Sequence, residues 1–329
     1  MIGEALVDVI ACGDRSAEAF PGGSPLNVAI GLGRLGLPVR LHSSFGSDPF
    51  GELIAAHLTA SGVQVTGGTR TSAPTSVAEA SISPDGSATY TFSLRWDPRP
   101  SSVRATGLLA VHTGSIAAVL EPGASVVQYE VERLRSVATI SYDPNVRPQL
   151  TRDSASTRER IAQLVAQADV VKVSEEDIAW LHPDSDPACV ARSWLLLGPA
   201  IVVITRGSEG AHAFTRAGEI EVAAPETSVA DTVGAGDSFM SGLLAGLADH
   251  GLLGRAREPL LRCIDLDTTR SVLDFATRCA AVTVSRHGAD PPTRNELAGC
   301  VASTADLPTR GQRGATADRL LAARHHPAD

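Results

Sequence analysis

Two acids, Asp231 and Asp237, flank a loop of small residues, Gly234-Ala235-Gly236. Behind the loop, Phe239, Met240, Leu243, Leu244 and Leu247 recur at helical spacing. The loop is therefore expected to open a helix, with Asp237 in the first turn. First-turn N–H groups have no intrahelical acceptor, and the helix dipole places about half a positive charge there. Glycine lets a phosphate come close to such groups. Asp237 would then stand where a phosphate arrives, ready to take a proton from an attacking hydroxyl. The competing structural role is an N-cap, a position where Asp is favoured on its own account. The loop is not a Walker A motif, because no Gly-Lys-Ser/Thr closes it.

Such a loop needs a scaffold that brings other polar groups to it. Short apolar runs at 108–113, 139–143, 170–173 and 200–205 are separated by helical lengths. This alternation predicts an α/β fold with a doubly wound, mainly parallel sheet. Polar residues collect just past the carboxyl ends of these runs, where ligands bind in such folds. They are Asp143-Pro144-Asn145-Val146-Arg147, then Lys172-Val173-Ser174-Glu175-Glu176-Asp177, then Thr205-Arg206-Gly207-Ser208-Glu209-Gly210. The acids at 175–177 also suit a first helical turn on dipole grounds alone.

Residues 1–10 read as a strand, with Leu6, Val7, Val9 and Ile10 around Asp8. Inner parallel strands are normally continuous apolar runs. Only Met1 and Ile2 precede Gly3, so this strand is expected to be short. Residues 11–20 read as a polar loop. Ser24 and Pro25 read as the N-cap and first residue of a helix that Gly36 closes. Gly31-Leu32-Gly33-Arg34-Leu35-Gly36 spells a dinucleotide fingerprint, with Glu52 further on. It falls in the back half of a helix rather than between strand and helix, so the dehydrogenase reading fails its context test. Residues 75–83 and 88–94 are strand-like around the turn Pro84-Asp85-Gly86-Ser87, which suggests a second, small sheet. Residues 255–270 look charged and irregular, 271–284 helical, and 300–329 like a mobile tail.

The chain has 329 residues, a net charge of −9 and a pI near 5.5. That length can bury a sizeable core, and the acidic balance argues against nucleic acid as a partner. Cys12, Cys189, Cys263, Cys279 and Cys300 form no C-x-x-C pair, which suggests reduced thiols in a cytoplasm. No apolar run reaches membrane-spanning length, and no basic region with a long apolar core marks a secretory signal.

The run from Asp231 to Gly242 resembles the second signature of the ribokinase-like (PfkB) sugar kinases. Pro21-Gly22-Gly23-Ser24-Pro25-Leu26-Asn27 is similar to that family's first signature region, and the likeness extends over about residues 3–297. The resemblance implies one kinase domain over 1–297, with a small β-sheet lid from about 11–20 and 75–97, and a tail at 298–329. It implies that the lid covers the sugar and forms a homodimer surface. It implies Asp237 as catalytic base, with Gly234, Ala235 and Gly236 forming an anion hole. Asp8, Gly22, Gly23, Asn27, Arg95, Asn145 and Arg147 would meet the sugar. Lys172, Thr205, Gly207, Gly210, Gly236, His287 and Gly288 would meet ATP. Asp177 would hold Mg²⁺ through water, and Asp231 a monovalent cation such as K⁺. The family's N-x-x-E departs at both ends here, to Ser174 and Asp177, and Thr277 stands where an Asn is common. The implied activity is transfer of the ATP γ-phosphate to a sugar hydroxyl, and the signature runs look most similar to fructokinases. A 2-keto-3-deoxygluconate kinase, a ribokinase and a non-catalytic sugar-binding regulator on the same fold stay open as alternatives.

Overall fold

The computed structural model describes residues 1–12, 17–82, 88–104, 106–151 and 154–298. The tail expected at 298–329 lies outside these residues from 299 onward. The amino-terminal half runs β1 (Leu6–Cys12), β2 (Glu18–Gly22), α1 (Ser24–Arg34), β3 (Val39–Leu41), β4 (Phe45–Gly46), α2 (Pro49–Ala60), β5 (Val63–Val65), β6 (Arg70–Thr71), β7 (Ser76–Ile82) and β8 (Ala88–Ser93). There follow β9 (Ala110–Gly114), α3 (Gly123–Leu134), β10 (Thr139–Asp143), α4 (Ser154–Gln167), β11 (Val170–Ser174), α5 (Glu175–Leu181), α6 (Pro187–Leu197) and β12 (Ile201–Thr205). The chain continues with β13 (Ala211–Thr215), β14 (Gly218–Val222), α7 (Ala235–Asp249), α8 (Glu258–Arg262) and α9 (Leu266–Val284).

The central sheet has the order β14-β13-β12-β11-β10-β9. Strands β9 to β12 pair in parallel, and each leads through helix to its neighbour. Their apolar runs are buried on both faces, as inner parallel strands require. Alternate residues supply opposite cores. Val170, Ile201 and Val203 join Leu26, Ile30, Phe239, Leu243 and Leu273 of α1, α7 and α9. Val171, Val173, Val202 and Ile204 join Val127, Val131, Leu164 and Trp194 of α3, α4 and α6 on the other face. The antiparallel pair β13–β14, which sequence periodicity does not single out, extends the sheet beyond β12.

The first strand departs from expectation. From Leu6 it belongs to a separate four-stranded sheet ordered β2-β1-β7-β8, so that sheet begins well before residue 11. Residues 18–22 are its edge strand rather than loop. In the central layer the amino-terminal segment contributes an isolated parallel bridge between Ile2 and His42. Ile2 N–H donates to the His112 carbonyl at 2.9 Å, and His42 N–H to the Met1 carbonyl at 2.8 Å. Beside this bridge is a cavity of about 410 Å³, lined by Leu37, Arg40, Leu108, Leu109 and Leu253 among others. The segment at 255–270 is also more ordered than its charge suggests. It holds α8 and the start of α9, whose N-cap Asp265 accepts from Thr268 N–H at 2.6 Å.

The G-x-G-x-x-G letters mark helix packing. A Cβ on Gly31 would stand 2.3 Å from Ser241 Oγ of α7, and one on Gly33 2.2 Å from the Ser61 carbonyl oxygen. The missing side chains let α1 cross α7 closely, which sets the amino ends of the two helices side by side. Among the described residues no helix is long and apolar enough to cross a membrane.

Candidate active site

A cavity of about 400 Å³ lies between the small sheet and the amino ends of α1 and α7. Glu4, Asp8, Asn27, Asn145, Arg147 and Asp237 bring its charged and amide side chains, Ser24, Ser115 and Thr232 line it with them, and Gly23, Gly234, Ala235 and Gly236 supply open backbone. Strand alternation in β1 places Leu6 and Asp8 on the cavity face and Val7 in the core. Gly22 lines up across from Leu6. A Cβ there would fall 2.1 Å from Asp8 Oδ2, so its glycine keeps room for that carboxylate.

Gly234 holds the N-cap of α7 in a left-handed conformation, φ 75°, with no side-chain cap bond. That backbone favours glycine. Asp237 in the first turn does not cap its own helix. Its Oδ1 accepts from Ser24 Oγ at 2.6 Å and its Oδ2 from Asn27 Nδ2 at 2.9 Å, both across to α1. This overturns the cap role for Asp237, and equally the reading of Ser24 as N-cap of α1, where Gly23 takes that position. Ala235 N–H donates to the Thr232 carbonyl at 3.3 Å. The first-turn amides of Gly236 and Asp237 lack an intrahelical acceptor and face the loop end of the cavity.

Beneath that loop, Lys172 Nζ donates to Asp143 Oδ2 at 3.0 Å, with side-chain exposures of 4% and 0%. A Cβ on Gly236 would lie 2.9 Å from Lys172 Nζ, so the ammonium abuts the loop itself. Burial alone would lower the Lys172 ammonium, but the carboxylates of Asp143, Asp177 and Asp237 outweigh it and the net shift is upward. Burial pushes Asp143 up to about 6, against the pull of Lys172. Asp143 Oδ1 is buried without a partner.

Two expected site residues lie off the cavity wall, and one unexpected residue lies on it. Arg95 points away: its side chain is 62% exposed, it approaches Asp97 at 3.4 Å, and it does not line the cavity. Asp177 turns both oxygens to backbone, Oδ1 to Val146 N–H at 2.8 Å and Oδ2 to Ser174 N–H at 3.2 Å. With Ser174 Oγ accepting from Asp177 N–H, it forms a capping box that starts α5. The shortened N-x-x-E pattern thus builds a helix start and pins the 143–147 loop, leaving Asp143 as the acid with a spare oxygen. Glu4, which sequence reasoning passed over, lies on the cavity wall. Burial pushes its carboxyl up to about 7, and its Oε2 accepts from Ala117 N–H at 3.1 Å. Extending the two-residue alternation of Leu6 and Asp8 back to residue 4 would have found it.

Thr205, Gly207 and Gly210 form a tight turn at the carboxyl end of β12, closed by Arg206 N–H to the Gly210 carbonyl at 2.8 Å. His287 and Gly288 follow α9. Burial alone would raise Asp231, but the N–H groups of Val233 and Gly288 hold it below the usual carboxylate range. They donate to Asp231 Oδ1 and Oδ2 at 3.0 and 2.8 Å and tie the 231–234 loop to the 284–290 segment. None of the five lines the 400 Å³ cavity. Among the described residues no group of three or more His, Cys, Asp and Glu is placed to hold a metal.

Residues 1–296 match the family model described as pfkB family carbohydrate kinase. A fructokinase of Rhizobium leguminosarum bv. trifolii is 34% identical over 264 residues, covering 76% of this chain and 80% of that one. A crystal structure of fructokinase with bound ATP from Xylella fastidiosa superposes with a TM-score of 0.82 at 27% identity, covering 93% and 98% of the two chains. A Vibrio cholerae O395 fructokinase double mutant in fructose-, ADP- and potassium-bound form gives 0.72 at 25% identity, covering 91% and 96%.

Proposed function

Because the chain belongs to the pfkB family of carbohydrate kinases, we propose that this sugar kinase transfers the γ-phosphate of ATP to a hydroxyl of D-fructose. The observation that carries the reading is a buried carboxylate, Asp237, set beside first-turn amides at one end of a polar cavity of monosaccharide size. Asp8, Asn27, Asn145 and Arg147 offer fixed donors and acceptors for hydroxyls. Phe92 of the lid sheet is the aromatic side chain that lines the cavity. Asp237 takes the proton of the attacking hydroxyl. The amides of Gly236 and Asp237, with Lys172 behind them, stabilise charge gathering on the transferring phosphoryl group.

ATP reaches this loop from the side of the Thr205–Gly210 turn and the His287–Gly288 segment. Mg²⁺ fits the residues present, since Asp143 has a buried, unpartnered oxygen next to Lys172. Hydrated Mg²⁺ needs only one or two carboxylates besides phosphates. When bound, its chemistry is to neutralise phosphate charge. The potassium-bound form of the Vibrio fructokinase supports a K⁺ ion in this chain, and the Asp231–Gly288 junction would hold it. Residues 1–297 act as one kinase domain in which the four-stranded sheet is the lid. Ile10, Phe20 and Phe92 are exposed on that sheet's cavity side and suit the lid of a second copy. Free Cys189 and Cys263 on the surface favour a reducing cytoplasm.

Coupled ADP release with fructose, 2-keto-3-deoxygluconate, ribose and adenosine tests the acceptor. Fructose should exceed ribose and adenosine in kcat/KM by roughly tenfold or more. Since Arg147 could pair a carboxylate, a keto-acid advantage of that size would replace fructose as the acceptor.

A pH dependence follows from Asp8. Burial pushes its carboxyl up to about 6, with Arg147 pulling the other way. The ionised form accepts sugar hydroxyls, so affinity is present above pH 6 and is lost as pH falls through it. The KM for fructose should rise up to about tenfold per pH unit below 6, while the KM for ATP does not follow. Asp8→Asn should remove the dependence; an unchanged acid limb would place the titrating group elsewhere.

A further inference from the structure

Ser24 has no part in the reaction described so far, and it does not cap α1. It is a primary alcohol whose Oγ donates to Asp237 Oδ1 at 2.6 Å. Both residues are buried, at 5% and 7% exposure, and both line the same cavity as Gly234, Ala235 and Gly236. The pair is held by two packed helices rather than by loops, because α1 and α7 meet where Gly31 and Ser241 touch. A hydroxyl hydrogen-bonded to the base, within the cavity that the anion-binding loop lines, is what the reaction demands of the sugar.

We propose that Ser24 is a built-in acceptor: without sugar, the protein transfers the ATP γ-phosphate to Ser24 Oγ. The proposal rests on ATP binding at the α7 loop and not on which sugar is the substrate. Asp237 takes the Oγ proton, and the Oγ lone pair forms the bond to the γ-phosphorus. The bond from that phosphorus to the bridging oxygen breaks, its electron pair stays on that oxygen, and ADP leaves. The product serine carries about −1.5 to −2 charge at pH 7, set against Asp237 in the sugar cavity. The modified chain is therefore closed to sugar. Sugar bound first takes over Asp237 and protects Ser24, so the device silences enzyme that lacks acceptor.

The test incubates the full chain with Mg²⁺ and γ-labelled ATP, with and without saturating fructose, and maps label by peptide mass while sugar-dependent ADP release is followed in parallel. Label should approach one phosphate per chain, lie on Ser24, and fall by roughly tenfold or more with fructose. Ser24→Ala should abolish it, Ser24→Thr should keep a labelled hydroxyl, and Asp237→Asn should slow it by about 10²–10⁴. Normal ADP release with sugar but no label overturns the proposal and leaves the sugar-kinase reading standing; Ser24 is then only a hydrogen-bond partner that orients Asp237. Label on another residue, or label that persists in Ser24→Ala, overturns it as well. Label on Ser24 without ADP release from any sugar upholds the proposal and removes the assigned acceptor.

Discussion

Asp237→Asn lowers kcat for sugar phosphorylation by about 10²–10⁴, the usual size of general-base catalysis. Asparagine preserves shape and can still accept from Ser24 through its amide oxygen, while its Nδ2 meets Asn27, whose amide turns over to accept. It cannot take the proton. ATP affinity should stay within a few-fold, because the first-turn amides and Lys172 are untouched. Steady-state kinetics beside nucleotide titration separates the two quantities. A variant that turns over within a few-fold of the parent would reduce Asp237 to a junction between α1 and α7.

Lys172→Met has the other large effect, and it acts on two levels. The Lys172–Asp143 pair is wholly buried. Removing one partner of such a pair costs about 3–5 kcal/mol, since it strands the other charge. Asp143 then takes up a proton. The same change strips positive charge from directly under Gly236, so kcat should fall by about 10²–10³. Denaturant unfolding and kinetics on Lys172→Met and on Lys172→Met/Asp143→Leu separate the levels. Replacing both partners by apolar groups of similar size should restore most stability without restoring turnover. Unchanged stability in the single variant would mean that Asp143 is already protonated, so that no charge is stranded.

The start of α7 was legible because its parts are contiguous. A glycine loop, an acid and an amphipathic run declare a helix start with an acid in its first turn, whatever the rest of the chain does. Asp8, Asn27, Asn145 and Arg147 were legible for a weaker reason: polar residues at strand and helix ends converge in this kind of sheet. What stayed hidden depends on distant pairing. Nothing near Ser24 announces a partner 213 positions away, and a serine before a proline at a helix start reads as a cap on local grounds alone. Asp177 reads as a metal residue in the sequence and as half of a capping box in the structure because the two motifs share one spacing. Arg95 lies two residues past the end of β8, where alternation no longer says which way a side chain points. The β13–β14 hairpin escaped because its residues, such as His212 and Glu219, interrupt the apolar signal of two short strands at the end of the sheet.

The Ile2–His42 bridge bears on how the molecule comes apart. Between β9 and β3 the backbone ladder passes through Met1, Ile2 and Gly3, beside an open cavity. A few hydrogen bonds of about 1 kcal/mol each cannot by themselves make two blocks melt together. The cooperativity of unfolding must instead be carried by side chains, with Leu26, Ile30 and Leu32 of α1 buried against Phe239, Met240, Leu243 and Leu244 of α7. That apolar contact also sets Ser24 and Asn27 against Asp237. Loosening it would therefore uncouple the amino-terminal block and misplace Asp237 in a single event, so the geometry of the cavity and global stability are bound to fail at the same joint.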